Sequence, residues 1–299
     1  MRLKAICLKT IRLQRSALTA ALLLGTSLSA HAADLKMDVY NPGENSIFPV
    51  SSEIITGEKD AVLIDAQFQR NDAEKLVEKI KASGKNLTTI YISQSDPDFY
   101  FGLDVIHAAF PKAKILATQA TIDEINATKQ GKVAFWGPQL KDNAPKAVIV
   151  PEALKGNGFE LEGKKFEVKG QVADRTFVWI PALKAVVGGV LVDGNNMHLW
   201  VADNQTVESR QQWVAALDQI TALKPSTVVP GHFLPGAPHT LESVKFTKDY
   251  LLTLEKALPK AKDSTALIAA MKGHYPQLKD DSSLLMSAKV LKGEMKWPQ

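Results

Sequence analysis

Residues 87–92, Leu-Thr-Thr-Ile-Tyr-Ile, are almost all β-branched or aromatic, the composition of a buried strand. The chain then turns polar through Ser93-Gln94-Ser95-Asp96-Pro97-Asp98, is apolar again at Phe99-Tyr100-Phe101, and after Gly102 enters a helical pattern over residues 103–110. No other stretch constrains the fold as much. A buried strand that ends in a carboxylate-bearing loop and continues as a helix belongs to a layered α/β protein, and it gathers polar side chains at one end of that strand.

The rest of the chain extends this alternation. Short strand-like runs at 53–56 and 61–64 are joined by Gly57-Glu58-Lys59-Asp60, a turn composition. Asn71 with Glu74 three residues on has the form of a capping box, and Ala73, Leu76, Val77 and Ile80 recur at helical spacing up to Gly84. A strand at 114–117 and a helix at 121–128 follow, and beyond Gly131 the breaker-rich Phe135-Trp136-Gly137-Pro138 predicts a loop bordering a cleft. A second set of strands comes next, two within 159–170 about Glu162-Gly163-Lys164, then 176–180 and 185–192. Residues 207–223 place Trp213, Leu217 and Ile220 on one helical face before Pro225, and 227–229 form a last short strand before Pro230-Gly231-His232. From residue 240 the pattern is helical, with stripes at Tyr250, Leu251, Leu254 and Leu258 and at Leu284, Leu285, Ala288 and Leu291. These stripes need burial, against the main domain or in a homodimer.

Composition matters most at the N-terminus. Arg2, Lys4, Lys9, Arg12 and Arg15 precede an apolar run over 17–28 and the small residues Ala30-His31-Ala32-Ala33, with no acidic residue among them. This is the form of a secretory signal over 1–33, cleaved after Ala32 or Ala33, and the run is too short to cross a bilayer. The single cysteine, Cys7, lies inside that segment. A periplasmic or secreted protein without disulfides is expected, with no stable membrane insertion once the signal is removed. Without the five basic residues the chain holds 31 Lys and Arg against 32 Asp and Glu, so nothing in its charge points to nucleic acid.

Five landmarks, in this order, carry a resemblance to a known family. They are Leu63-Ile64-Asp65 at the end of an early strand; Gln94, Asp96, Asp98 and Phe99; Gly170-Gln171-Val172 followed by Asp174 and Thr176; the strand-like 184–191; and Val228-Val229-Pro230-Gly231-His232. The sequence resembles the metallo-β-lactamase superfamily over nearly all of residues 34–299. Its His-x-His-x-Asp-His motif falls on the second landmark, its Gly-His-Thr on the third, and its late Pro-Gly-His on the last. The resemblance implies an αββα sandwich over 34–239, with C-terminal helices over 240–299 packed on the same domain.

It also implies a pair of zinc ions in the family, and here the sequence departs from the pattern. The first metal position corresponds to Gln94, Asp96 and Gln171, and the second to Asp98, Phe99 and His232, while the bridging aspartate corresponds to Val190. Only Asp98 and His232 keep their residue type. A neutral amide is a poor zinc ligand, and Phe and Val have no donor atom. Standard di-zinc hydrolysis is therefore not expected, and a direct salt bridge between Asp98 and His232 is. Gln94, Asp96, Asp98, Gln171, His198 and His232 are the candidate ligand-binding residues, and Asp98 and His232 the catalytic candidates. No cofactor is expected beyond a single divalent metal on Asp96, Asp98 and His232, the carboxylates suiting Mg²⁺, Ca²⁺ or Mn²⁺. The expected function is that of a non-canonical or inactive hydrolase homologue, a pseudoenzyme that binds a small polar molecule in the former active-site cleft. The alternative is a hydrolase of an ester, lactone or thioester using a single or atypical metal. A serine hydrolase built on Ser93 or Ser95 with His232 lacks the Gly-x-Ser-x-Gly sequence. Asp65 is expected to bond backbone beneath the site, and Asp203 to lie in a solvated loop.

Overall fold

The computed structural model describes residues 34–279 and 281–297, so the expected signal segment lies outside the described residues. The chain begins with β1 (Lys36–Tyr40), β2 (Ser52–Thr56) and β3 (Asp60–Ile64), then α1 (Arg70–Ala82), β4 (Asn86–Tyr91), α2 (Pro97–Tyr100), α3 (Leu103–Ala109), β5 (Lys114–Ala117), α4 (Gln119–Leu140) and β6 (Glu152–Ala153). It continues with β7 (Gly158–Leu161), β8 (Lys164–Val172), β9 (Arg175–Ile180), β10 (Ala185–Val187), α5 (Val207–Ala222), β11 (Thr227–Val228), α6 (Leu241–Ala257), α7 (Ser264–His274) and α8 (Asp281–Leu291). The first sheet has the order β1-β2-β3-β4-β5-β6 and the second β11-β10-β9-β8-β7.

Alternation along the strands assigns each face to a layer. Ile55, Val62, Ile64 and Tyr91 of the first sheet share one core with Phe166, Val178, Ile180 and Val187 of the second, so these residues face each other between the sheets. The opposite face of the first sheet, with Ile54, Leu63 and Ile90, is covered by Leu76 and Ile80 of α1, Ile106 of α3 and Ile125 of α4. Phe177 and Val186 on the outer face of the second sheet meet Trp213 and Leu217 of α5, Leu251 and Leu254 of α6, Leu267 and Met271 of α7, and Leu284 of α8. The architecture is an αββα sandwich, and the C-terminal stripes belong to its outer layer. Among the described residues no helix is long and apolar enough to cross a membrane.

Local chemistry explains several boundaries. The hairpin between β7 and β8 turns at Glu162 and Gly163, both with positive φ (49° and 77°) as a two-residue turn of this hand requires. The Glu162 carboxylate then accepts the N–H groups of Glu58, Lys59 and Asp60, tying this turn to the one between β2 and β3. α1 begins two residues before the capping box expected at Asn71. Its N-cap is Gln69, whose side chain accepts the Ile47 N–H instead of capping the helix.

The largest departure is α4. The loop expected over 135–138 is helical, and the helix runs to Leu140 with Pro138 inside its last turn. Trp136 packs edge-on to Phe48 and Phe68, with ring centroids 5.2 and 5.4 Å away. That aromatic contact outweighs the cost of about 1 kcal/mol that a mid-helix glycine such as Gly131 carries. The strand expected over 185–192 is likewise cut short. Gly188 and Gly189 both have positive φ, and a Cβ on Gly189 would sit 2.3 Å from the Thr176 carbonyl oxygen, so the chain leaves the sheet there.

Candidate functional site

The loops after β4, β10 and β11 and the start of β9 converge at one end of the sandwich. Isolated bridges pair Gln94 with Arg175, Val50 with His232, and Asp193 with His232. Gly231 lies so close to the β10 loop that a Cβ on it would be 2.0 Å from the Gly189 oxygen.

Asp65 holds the floor of this region. It follows β3 with φ 58°, a left-handed conformation that Asp tolerates better than most residues. Its carboxylate accepts the Ser93 N–H at 2.8 Å, the Ser93 hydroxyl at 2.7 Å and the Gly189 N–H at 3.3 Å. Burial pushes its pKa up to about 7 against the pull of those hydrogen bonds. Ser93 is fully buried with its hydroxyl committed to Asp65, so it is not a nucleophile beside His232. Glu53, on β2, is also fully buried, and desolvation, with Asp65 adding to it, holds its carboxyl well above the usual range.

Above this floor the polar residues after β4 make two pairs. His232 Nε2 and Asp98 Oδ2 are 2.7 Å apart, the length of a charge-assisted hydrogen bond. The Phe99 ring lies edge-on to the imidazole at 5.6 Å and Phe48 at 6.4 Å, so hydrocarbon borders the pair. Burial lowers the His232 pKa, but the hydrogen bond and charge of Asp98, with Asp193 and Asp96 beyond, raise it above the ordinary histidine value. The second pair involves a residue from α4. Lys132 Nζ donates to the Ser95 carbonyl at 2.8 Å and lies 3.6 Å from Asp96 Oδ1. Gln94 Nε2 donates to Asp96 Oδ2 at 2.8 Å.

Three candidates take places the sequence reading did not give them. His198 does not face the cleft. It is fully buried in the outer helical layer, with Nδ1 3.0 Å from the Tyr250 hydroxyl and Nε2 3.9 Å from Asp281. Gln171 sits in a β-bulge between Lys169 and Val172, exposed and away from hydrogen bonding with Gln94. It lines a cavity of about 80 Å³ with Arg175, Leu191, Asp203, Asn204, Gln212, Trp213 and others. Asp203 is half-buried and not in an open loop, because Trp200 and Trp297 donate their indole N–H groups to its two oxygens at 2.6 and 2.7 Å. Burial raises its pKa to about 6, with Asp96 adding to the rise and Arg175 opposing it.

Sequence reasoning missed Lys132, Arg175 and Asp193. Lys132 lay past the expected end of its helix. Arg175 opens β9 ahead of the buried Thr176, Phe177 and Val178, a charge at a strand entrance that was passed over. Asp193 stands three residues after Val190; it is 4 % exposed, and burial pushes its pKa up to about 7 with His232 opposing. Among the described residues no group of three or more His, Cys, Asp or Glu side chains is arranged to hold a metal ion.

The fold is that of the metallo-β-lactamases. The DIM-1 metallo-β-lactamase matches with a TM-score of 0.52 and 19% identity over 74% of this chain and 94% of its own. The metallo-β-lactamase of Hirschia baltica matches at 0.51 and 18% over 73% and 93%, and that of Pontibacter korlensis at 0.50 and 20% over the same shares. No protein-family model and no curated protein matches the sequence. At these identities the likeness establishes a hydrolase-like fold and no activity.

Proposed function

We propose that the chain is an exported protein of metallo-β-lactamase fold whose cleft binds a small polar ligand without the di-zinc centre. The observation that carries this reading is that two carboxylates at the candidate metal positions have side-chain partners in place of an ion, Asp96 with Lys132 and Asp98 with His232. The donor set does not fit two zinc ions. Phe99 and Val190 offer no donor, Gln94 and Asp96 are bonded to each other, and Asp98 and His232 hold one another at 2.7 Å. A buried carboxylate cluster without a counter-ion would be costly, and the direct pairs remove that cost. Export rests on the basic and apolar segment 1–33, and the periplasm is its expected destination.

Mature protein spanning 34–299, purified without a metal-binding tag, is dialysed against Zn²⁺, Mn²⁺ or Ca²⁺ and its metal content measured by mass spectrometry. Substoichiometric metal under all three conditions is expected. One ion per chain that is lost in D98A and H232A overturns the reading. It would favour the second one, hydrolysis of an ester, lactone or thioester with a single or atypical metal. Cell fractionation checks the location, and protein found in the cytosol at full length would count against export.

A further inference from the structure

The geometry points to a binding site for a short-chain aliphatic carboxylate, with Arg175 as its anchor, in the cavity between the β8 bulge, the start of β9 and the first turns of α5. This deepens the ligand-binding reading above, on which it rests through Gln171, and it adds residues that reading did not use. The cavity measures about 80 Å³. A single water needs about 10–15 Å³ by the same kind of measure, so there is room for several waters or for an organic ion of a few heavy atoms.

Its walls are of two kinds. Arg175, Gln171 and Gln212 contribute polar ends, while Leu191, Trp213 and Ala216 contribute hydrocarbon. Arg175 Nη1 donates to Asn204 Oδ1 at 3.0 Å, which fixes the guanidinium with one of its five N–H donors and leaves the rest of the planar fork for a ligand. A carboxylate matches that fork with two parallel hydrogen bonds, and amide N–H groups from the glutamines would meet its remaining lone pairs. The other acid bordering the cavity, Asp203, accepts the indole N–H groups of Trp200 and Trp297, and the Arg175 charge reaches it without a direct ion pair between the two, so an incoming carboxylate would take the fork beside it. The apolar wall then asks for a short hydrocarbon tail. An inorganic anion would leave that wall facing a charge, and a neutral amide would not satisfy the guanidinium.

Mature protein is titrated with acetate, propionate and butyrate by calorimetry, with propionamide and inorganic phosphate as comparators. Saturable propionate binding that is at least tenfold tighter than phosphate is expected, with no binding of propionamide. R175K, which keeps the charge and removes the fork, is expected to weaken propionate at least tenfold, and Q212L, at an exposed position where folding is not at stake, by a few fold. Equal binding of phosphate and propionate overturns the carboxylate class. No saturable propionate binding, or binding unchanged in both R175K and Q212L, overturns the site. Metal content decides the preceding reading separately, so a metal-free protein that binds no carboxylate defeats this inference alone.

Discussion

On one side of the cleft, Asp98 and His232 meet at 2.7 Å between two phenyl rings; on the other, Arg175 spends one donor on Asn204 and turns toward an open cavity with two glutamines. Both sides lie near the end of the sandwich where the loops after β4, β10 and β11 meet the start of β9. On the first side each polar group has a protein partner, so an incoming ligand would have to break a charge-assisted bond before making one. On the second side Arg175 is half-buried and held by Asn204, while Gln171 and Gln212 are exposed. Preorganised, uncommitted donors are what a binding site needs, and closed pairs are what a stable floor needs.

The sharpest way to break this contrast is to remove Asp65, which belongs to the floor. D65A leaves the Ser93 N–H, the Ser93 hydroxyl and the Gly189 N–H buried without their acceptor, and each such loss costs about 1–3 kcal/mol. Urea unfolding should show a loss of roughly 4 kcal/mol. D65N, which keeps an acceptor oxygen and tolerates the left-handed backbone, should lose less. Equal losses would mean that the charge, and not the hydrogen bonding, holds the floor.

Next in size is the pair above it. H232A or D98A leaves a largely buried partner uncompensated and should cost about 3 kcal/mol, whereas the double variant D98A/H232A should cost less than the two singles added together. Additive losses in that cycle would show that the two side chains do not depend on each other. Stability should also change with pH. Asp65 and Asp193 have folded pKa values of about 7, above their ordinary 3.8, and Glu53 and His232 are raised as well. Between about pH 4.5 and 8 the folded chain therefore holds more protons than the unfolded one, so the contribution of these groups is full at the acid end and is lost as pH rises through their folded values. The opposite trend comes from His239, whose pKa burial lowers within this range, and from Glu162, Asp281 and Glu294, whose lowered pKa values matter only at more acid pH. The thermal midpoint should be a few degrees higher at pH 5.5 than at pH 8, since about 1 kcal/mol moves it by roughly 2–4 °C in a domain of this size. A midpoint that rises with pH would refute the assignment of protons to the floor.

The smallest effect is expected at the aromatic contacts beside Asp203. Trp297 meets Phe135 and Trp200 edge-on, at 5.7 and 5.2 Å, and donates to Asp203. W297A should cost about 1–2 kcal/mol from one aromatic contact set and one hydrogen bond. If propionate binding weakens in W297A as well, the indole serves the cavity by holding Asp203 aside.

Much of this molecule was legible in its sequence. Sheets covered by helices followed from the alternation of short strands and amphipathic helices, and the β7–β8 hairpin from Glu162-Gly163, because these signals are local; the sandwich itself came from the family resemblance. The contact of Asp98 with His232 came from a resemblance between motifs 134 residues apart, which periodicity alone does not reveal. Lys132 and His198 were misplaced for a common reason. Lys132 acquires its meaning from Ser95, 37 residues away, and only because Trp136 packing carries α4 through Gly131 and Pro138. His198 reads as a pocket residue beside Trp200, but it is buried by Tyr250 of α6, 52 residues further on. Tertiary packing overrode local composition in both cases.

The placement of tryptophan has one more consequence. Of the five in the chain, Trp213 donates to the Leu191 carbonyl at 2.7 Å and lines the cavity, while Trp136, Trp200 and Trp297 are linked with Phe135 in one aromatic chain. Only Trp179, on β9, lies apart from these groups. Trp213 thus reports on the cavity directly, and Trp200 and Trp297 report on it through Asp203, which they hold and which lines it. A ligand that enters should change its own surroundings' light output, so the protein carries an unlabelled optical gauge of occupancy.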